Sequence, residues 1–479
     1  MRKSLLLFIL IASSHAWATA ADKFALQFKI RRPYCVLNFL ETCKGANGTS
    51  DALRIYIENS TKSDTLFSKL IEDYHSLDLD GIYQHSGFPE TRPAYRSIKD
   101  LLIIAAVQSN NIDEFKQQII GVLHSSDYEH LINIMKKADV WYEKIIWSKH
   151  GKQAIIQLEK LETYQPSIND AFQRLKKFYG SSWPDDMPFI IALSPVPGKT
   201  GATAATPHAN SLCLDVLTEE INYAARIAIA LHEICHVLYA EQSRQLQHEL
   251  ENYFAASTSA YASAAHNFFD EGLATANGNG WTYKLVTGKM DTAGWYSDTY
   301  IDGFGHALYP LTSRYLSEGK SIDESFAKEA IRLFGEKFPK APDDFGILFN
   351  HLVLNSDEEE PVGRNRVKQN IYARFSVYYL NFTSPIMGAE SGGLLKDSRE
   401  TQLIVVDRNY ETTLNALKNA LPELNKIHYN LNDNFIISYF DGKKRLVMVA
   451  KINKGDTDKL FEAIKKRQFV NRTEPYWRL

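Results

Sequence analysis

Hydrophobic spacing along this chain changes its period several times, and each change marks a region. Phe24, Leu26, Phe28 and Ile30 alternate as in a strand, and a Gly/Asn turn region follows Cys43. From Leu66 to Tyr179 apolar residues recur every three or four positions, as in Ile98 to Val107, Ile112 to Leu123 and Tyr128 to Tyr142. This predicts helices joined by short polar breaks, and no recurring period marks a repeat array. Near Pro188 the pattern turns to β. Phe189 to Leu193 reads as a strand, Pro195 to Pro207 as a Gly/Ala/Thr/Pro loop, and Ser211 to Leu217 as a second short strand. A long apolar helix follows, capped by Thr218 with Glu220 and Ile221 behind it, and runs to about Tyr239. Ser243 to Asn277 offers further Ala-rich helical sequence.

Two more helices are predicted, Thr299 to Leu316 and Ile322 to Phe334, with Gly319 between them. The acidic run Asp357 to Glu360, then Pro361 and Gly363, reads as a surface connection, and Gly388 to Gly393 is Gly-rich. A small α/β unit closes the chain: strand Leu403 to Val406, helix Tyr410 to Leu421, strands Phe435 to Tyr439 and Leu446 to Ile452, and helix Thr457 to Lys466. Asp441-Gly442 supplies the hairpin turn between the last two strands. The expected architecture is α+β and mostly helical: a helical N-terminal region over 21–180, a core over 181–355, a linker over 356–395, and a small C-terminal α/β domain over 396–479.

Composition narrows the setting. A net charge of −3 over 479 residues makes no case for nucleic acid or for an anionic membrane surface, and 44% hydrophobic residues suit a soluble globular chain. Met1-Arg2-Lys3, the apolar stretch Leu5 to Ala12 and the ending Ala18-Thr19-Ala20 have the form of a cleaved signal peptide over 1–20. This predicts export, periplasmic or extracellular, of a chain starting near Ala21. No later segment supplies ~20 uninterrupted apolar residues, so no stable membrane insertion is expected. In an oxidising compartment Cys35 and Cys43 are candidates for a local bridge, whereas Cys235 reads as a small core residue.

The chemistry concentrates in the long helix. His232-Glu233-Ile234-Cys235-His236 has the form H-E-x-x-H, and positions i and i+4 share a helix face, so two imidazoles can converge on one ion. Glu233 is turned ~100° from His232, where it can serve as general base toward a metal-bound water. Zinc needs a third protein ligand. Gln242 and Tyr239 stand where a metzincin would carry His and Gly, which excludes that class. The remaining candidates are Glu249, Glu251, His266, Asp270 and Glu271; Glu241 is one turn past His236 and cannot fold back. Glu271 is preferred because it lies in an apolar helical stretch followed by small residues, although Asp270 and Glu271 also suit a charge pair at a helix start. For the oxyanion, His306 and then Tyr300 are candidates, in a segment where Gly303 and Gly305 permit close approach; Tyr309 is nearby.

Between Phe189 and Leu316 the chain resembles the gluzincin metallopeptidases. In that group H-E-x-x-H is followed by a Glu in a second helix, and Asp270-Glu271-Gly272-Leu273-Ala274-Thr275 is similar to the N-E-G-F-A-[S/T] segment of aminopeptidase-like members. The resemblance implies a zincin-like core with a small edge sheet and an active-site helix. It implies one zinc per chain on His232, His236 and Glu271, with Glu233 as base and a peptide or protein as substrate. It also implies that Ser211 to Leu217 is the edge strand that pairs with substrate. The gap from His236 to Glu271 is longer than is usual in the group, and an insertion near Ser257 to Ala265 would absorb it. Two other functions fit the same residues: a catalytically silent peptide- or protein-binding module on this scaffold, and a zinc hydrolase of a non-peptide amide or ester.

Overall fold

In the computed structural model, which describes residues 25–46, 48–89, 92 and 94–479, the alternating N-terminal segment is a strand that joins the central sheet. The leader expected over 1–20 lies outside the described residues. The protein is α+β and mostly helical, in two units. One unit holds the described residues up to Tyr253 with Asp270–Ser297 and Gly305–Ala327; the other holds Phe254–Phe269, Asp298–Phe304 and Lys328–Leu479. No helix among the described residues is long and apolar enough to cross a membrane.

The first unit contains strands β1 (Leu26–Lys29), β2 (Ile82–His85), β3 (Ala94–Ser97), β4 (Phe189–Val196), β5 (Ala205–His208) and β6 (Ser211–Leu217). Four of them form a sheet in the order β1-β4-β6-β5, with β1, β4 and β6 parallel and β5 antiparallel at the edge. β4 and β6 are buried along their whole length, which is why both read as continuous apolar runs. Ile190, Ala192, Cys213 and Leu217 point into a core built by the helices from Arg32–Lys44 to Ser125–Tyr142, around Phe39, Leu40, Leu131 and Met135. β2 and β3 form a separate two-stranded sheet, with β2 exposed and β3 mostly half-buried.

Two expectations are corrected here. β6 is paired on both sides and cannot be the substrate edge; the edges of the sheet are β1 and β5, the latter inside the stretch read as loop. Its four residues, Ala-Thr-Pro-His, carry a proline and no hydrophobic alternation, so nothing marked them as a strand. The motif helix, Tyr223–Ala240, lies against β5 and β6. Its cap is Asn222, whose side chain accepts from Ala225 N–H, and not Thr218. Thr218 still belongs to the sheet, because its N–H donates to Val196 O (2.8 Å) and its hydroxyl accepts from Gly198 N–H (3.0 Å).

The second unit is organised on a six-stranded sheet of β7 (His351–Ser356), β8 (Tyr379–Thr383), β9 (Thr401–Val406), β10 (Phe435–Phe440), β11 (Leu446–Lys451) and β12 (Tyr476–Arg478), ordered β12-β10-β11-β9-β7-β8. Alternate residues feed cores on its two faces. Leu403, Val405, Met448 and Ala450 join one, and Ile404, Val406, Val447 and Val449 join the other. The predicted linker is therefore part of the domain: 356–395 contributes the helix Pro361–Tyr372, β8 and the helix Ala389–Asp397, and the α/β sheet starts with β7. Asp441 and Gly442 do turn the β10–β11 hairpin, within a five-residue loop whose positive φ falls on Lys444.

The Cys35–Cys43 bridge is also corrected. Both residues lie on the helix Arg32–Lys44, where eight residues span ~12 Å, far beyond the ~4.4–6.8 Å of a disulfide. All four cysteines are free, and Cys235 is buried in the core as expected.

Candidate metal centre

The motif helix presents His232 and His236 on one face, and their Nε2 atoms lie 3.2 Å apart. A second helical run begins at Phe269–Ala274 and brings Glu271 to them, with Oε2 3.5 Å from His232 Nε2 and 3.6 Å from His236 Nε2. Three ligand atoms thus converge where a metal ion can be held. Of the five candidates for the third ligand, Glu271 is the one in this group; His266 stacks on Phe254 in the other unit, and Glu249 accepts from Gln245.

Each imidazole is held from behind. Asn279 Nδ2 donates to Trp295 O (3.0 Å), so its Oδ1, 2.9 Å from His232 Nδ1, is the acceptor and fixes the proton on that nitrogen. His236 Nδ1 faces Asp270 Oδ1 at 3.0 Å. Both rings therefore turn an unprotonated Nε2 toward Glu271 when neutral.

Glu271 runs directly into a π-helix, Thr275–Thr282, which carries Asn279. π segments are rare and recur at functional sites. The π-helix packs closely on the motif helix at Gly278, where a Cβ would lie 2.5 Å from both Cα and N of His232. The run of small residues after Glu271 is what permits that approach.

The centre is electronegative. Glu233, Asp270 and Glu271 surround two imidazoles, and among the described residues no lysine or arginine is paired with them. Burial raises the Glu233 carboxyl against the pull of His236 and His232. Burial also pushes Glu271 upward, but His232, His236 and a hydrogen bond from Tyr296 outweigh it and hold that carboxyl below its usual range. Burial alone would lower His236, yet Asp270, Glu271 and Glu233 raise it to about 10. A site this rich in carboxylates retains a cation, whether proton or metal. Glu271 Oε2, the oxygen that faces both imidazoles, is buried and accepts no hydrogen bond.

One of the two oxyanion candidates is corrected. Tyr300 belongs to the second unit, and its hydroxyl donates to Asp344 Oδ2 at 2.9 Å. His306 lies flat on the Trp295 ring, with centroids 3.7 Å apart. A hydroxyl beside the site is that of Tyr296, whose ring stacks on His232 at 5.7 Å while its OH reaches Glu271. Sequence reasoning missed Tyr296 and Asn279: the first is in an irregular segment and the second in a π turn, and neither has a periodicity to read. Asp270 was visible as a neighbour of Glu271, but its service to His236 was not. No family model, curated protein or solved structure matches this chain.

Proposed function

We propose that the protein is a zinc-dependent peptidase, with a zincin-like core in the first unit. The observation that carries the reading is the triangle of His232 Nε2, His236 Nε2 and Glu271 Oε2, with edges of 3.2, 3.5 and 3.6 Å. Tetrahedral ligands at zinc bond lengths of ~2.0–2.1 Å lie about 3.3 Å apart. Two imidazoles and one carboxylate, each imidazole supported through its other nitrogen, suit zinc in chemistry as well as in spacing. The unbonded Glu271 Oε2 is the atom a cation would satisfy.

Zinc at these atoms supplies Lewis acidity, which activates water and polarises the peptide carbonyl. Glu233 has no ligand role. It stands one residue past His232 with its carboxyl raised by burial, suited to take the proton from the attacking water and deliver it to the leaving amine. Tyr296, held against Glu271, is the donor we assign to the developing oxyanion. A binding-only module would have no use for Glu233, which favours hydrolysis. The leader-like segment at 1–20 supports export of the peptidase. The test is Glu233→Gln: the variant should retain metal and lose hydrolysis of a peptide library, and an unchanged rate overturns the mechanism. Cleavage of esters or non-peptide amides with peptides untouched would move the same site to another substrate class.

A further inference from the structure

Between the helix Tyr283–Thr287 and the helix that starts at Thr299 the chain has no regular structure, and from Gly288 to Ser297 it buries one side chain, Trp295. That residue is 6% exposed. Its ring lies flat on His306, with centroids 3.7 Å apart and planes 25° from parallel, and packs edge-to-face with Tyr309 at 5.6 Å. His306 and Tyr309 are three residues apart and share a face of the helix Thr299–Glu318. On the π-helix, Gly280 clears the slot: a Cβ there would stand 2.7 and 2.8 Å from two indole carbons. The indole N–H donates to Asp291 O at 3.3 Å and so folds the segment back on itself.

What this anchor holds is the metal centre. Trp295 O accepts from Asn279 Nδ2 at 3.0 Å, which leaves Asn279 Oδ1 to face His232 Nδ1 at 2.9 Å. The next residue, Tyr296, stacks on His232 at 5.7 Å, and its hydroxyl reaches Glu271. No other residue of 288–297 is buried, so the seat of Trp295 decides where the Asn279 acceptor and the Tyr296 ring stand. All of these residues belong to the first unit.

We propose that Trp295 is a positioning residue for the metal centre, and that zinc binding and the ordering of 288–297 are one coupled equilibrium. Seated in its slot, Trp295 keeps the Asn279 acceptor on His232 and the Tyr296 hydroxyl on Glu271. His306 serves through the face of its ring. Whatever the seated segment adds to zinc affinity, zinc adds to the seating, because coupling between two sites is reciprocal. Removing zinc loosens the segment, and loosening the segment weakens zinc. This rests on zinc at His232, His236 and Glu271, and specifies what regulates its hold there.

Lys289 is exposed within the segment and offers a tryptic site. On the full chain, zinc affinity is read by chelator competition and cleavage after Lys289 by fragment mass, with and without zinc. Zinc should slow that cleavage about tenfold or more in the wild type. Trp295→Ala should bind zinc roughly 10- to 100-fold more weakly and be cut at Lys289 at nearly the same rate with or without it. Trp295→Phe, which refills the slot, should recover most of both. Cleavage indifferent to zinc in the wild type, wild-type zinc affinity in Trp295→Ala, or zinc protection that survives in that variant overturns the proposal. Should Trp295→Ala not fold, position 306 decides: His306→Ala should weaken zinc and His306→Phe, which keeps a stacked ring, should not, and equal affinities in the two overturn the proposal. Neither readout needs peptide cleavage. Zinc affinity that depends on Trp295 in a protein that cleaves no peptide would sink the peptidase reading alone, cleavage with zinc indifferent to Trp295 would sink this one alone, and a wild type that binds no zinc would sink both.

Discussion

Gly278 is where the structure sets its sharpest steric demand on the metal centre. A Cβ built on it meets His232 Cα and N at 2.5 Å and His232 Cβ at 2.6 Å. These are backbone and backbone-proximal atoms, so no rotamer change relieves them. Ordinary carbon contacts start near ~3.4 Å, and Gly278→Ala therefore asks the π-helix and the motif helix to separate by about 1 Å. Overpacking of this kind costs about 1–3 kcal/mol of stability. The larger effect should be on the site, because the shift moves Asn279 and Glu271 away from His232, and a 1 Å misplacement costs on the order of 10²-fold in activity. Gly392 is the control: it is helical, exposed and has no atom within 4 Å of its Cβ position, so Gly392→Ala should be neutral or slightly stabilising. Thermal unfolding and zinc affinity by chelator competition measure both effects. Wild-type midpoint and zinc affinity in Gly278→Ala would refute the close packing of these two helices.

Other substitutions separate the roles around the site. Asp270→Asn should weaken zinc binding roughly 10- to 100-fold by removing the support of His236 Nδ1, read by the same competition. Tyr296→Phe should retain zinc and lower kcat roughly 10²- to 10³-fold with little change in KM if its hydroxyl serves the oxyanion. Away from the site, burial in β6 pushes the Asp215 carboxyl up to about 7, despite hydrogen bonds from Ala204, Asn38 and Ser194. A carboxyl raised in the folded state favours folding below its unfolded value near 4, and that contribution is lost as pH rises through about 7. The melting temperature of Asp215→Asn should therefore gain on the wild type between pH 4 and pH 8, and a constant difference would show that folding leaves the titration of Asp215 unchanged.

Legibility in the sequence followed local regularity. The strand Ser211–Leu217 and the helices of the C-terminal unit could be read because burial on one face or both writes a period into the residues. β5 could not, since a half-buried edge strand of four residues leaves no such trace. β8 could not be read because acidic and glycine-rich neighbours make 356–395 resemble a linker, although the helices there cover a buried sheet. In the site, His232, Glu233 and His236 follow from helical spacing, whereas Glu271 depends on an approach between two helices that Gly278 makes possible. Residue type and nearby glycines point to Tyr300 as well, yet its hydroxyl is committed to Asp344.

The central claim is a zinc ion on His232, His236 and Glu271. Elemental analysis of protein purified without added metal, joined to anomalous scattering across the zinc edge from its crystals, tests it most directly. The account predicts about one zinc per chain, ~2.0–2.1 Å from the three ligand atoms, and its loss in His236→Ala. Iron in its place, a metal bound elsewhere, or full zinc content in His236→Ala would contradict it.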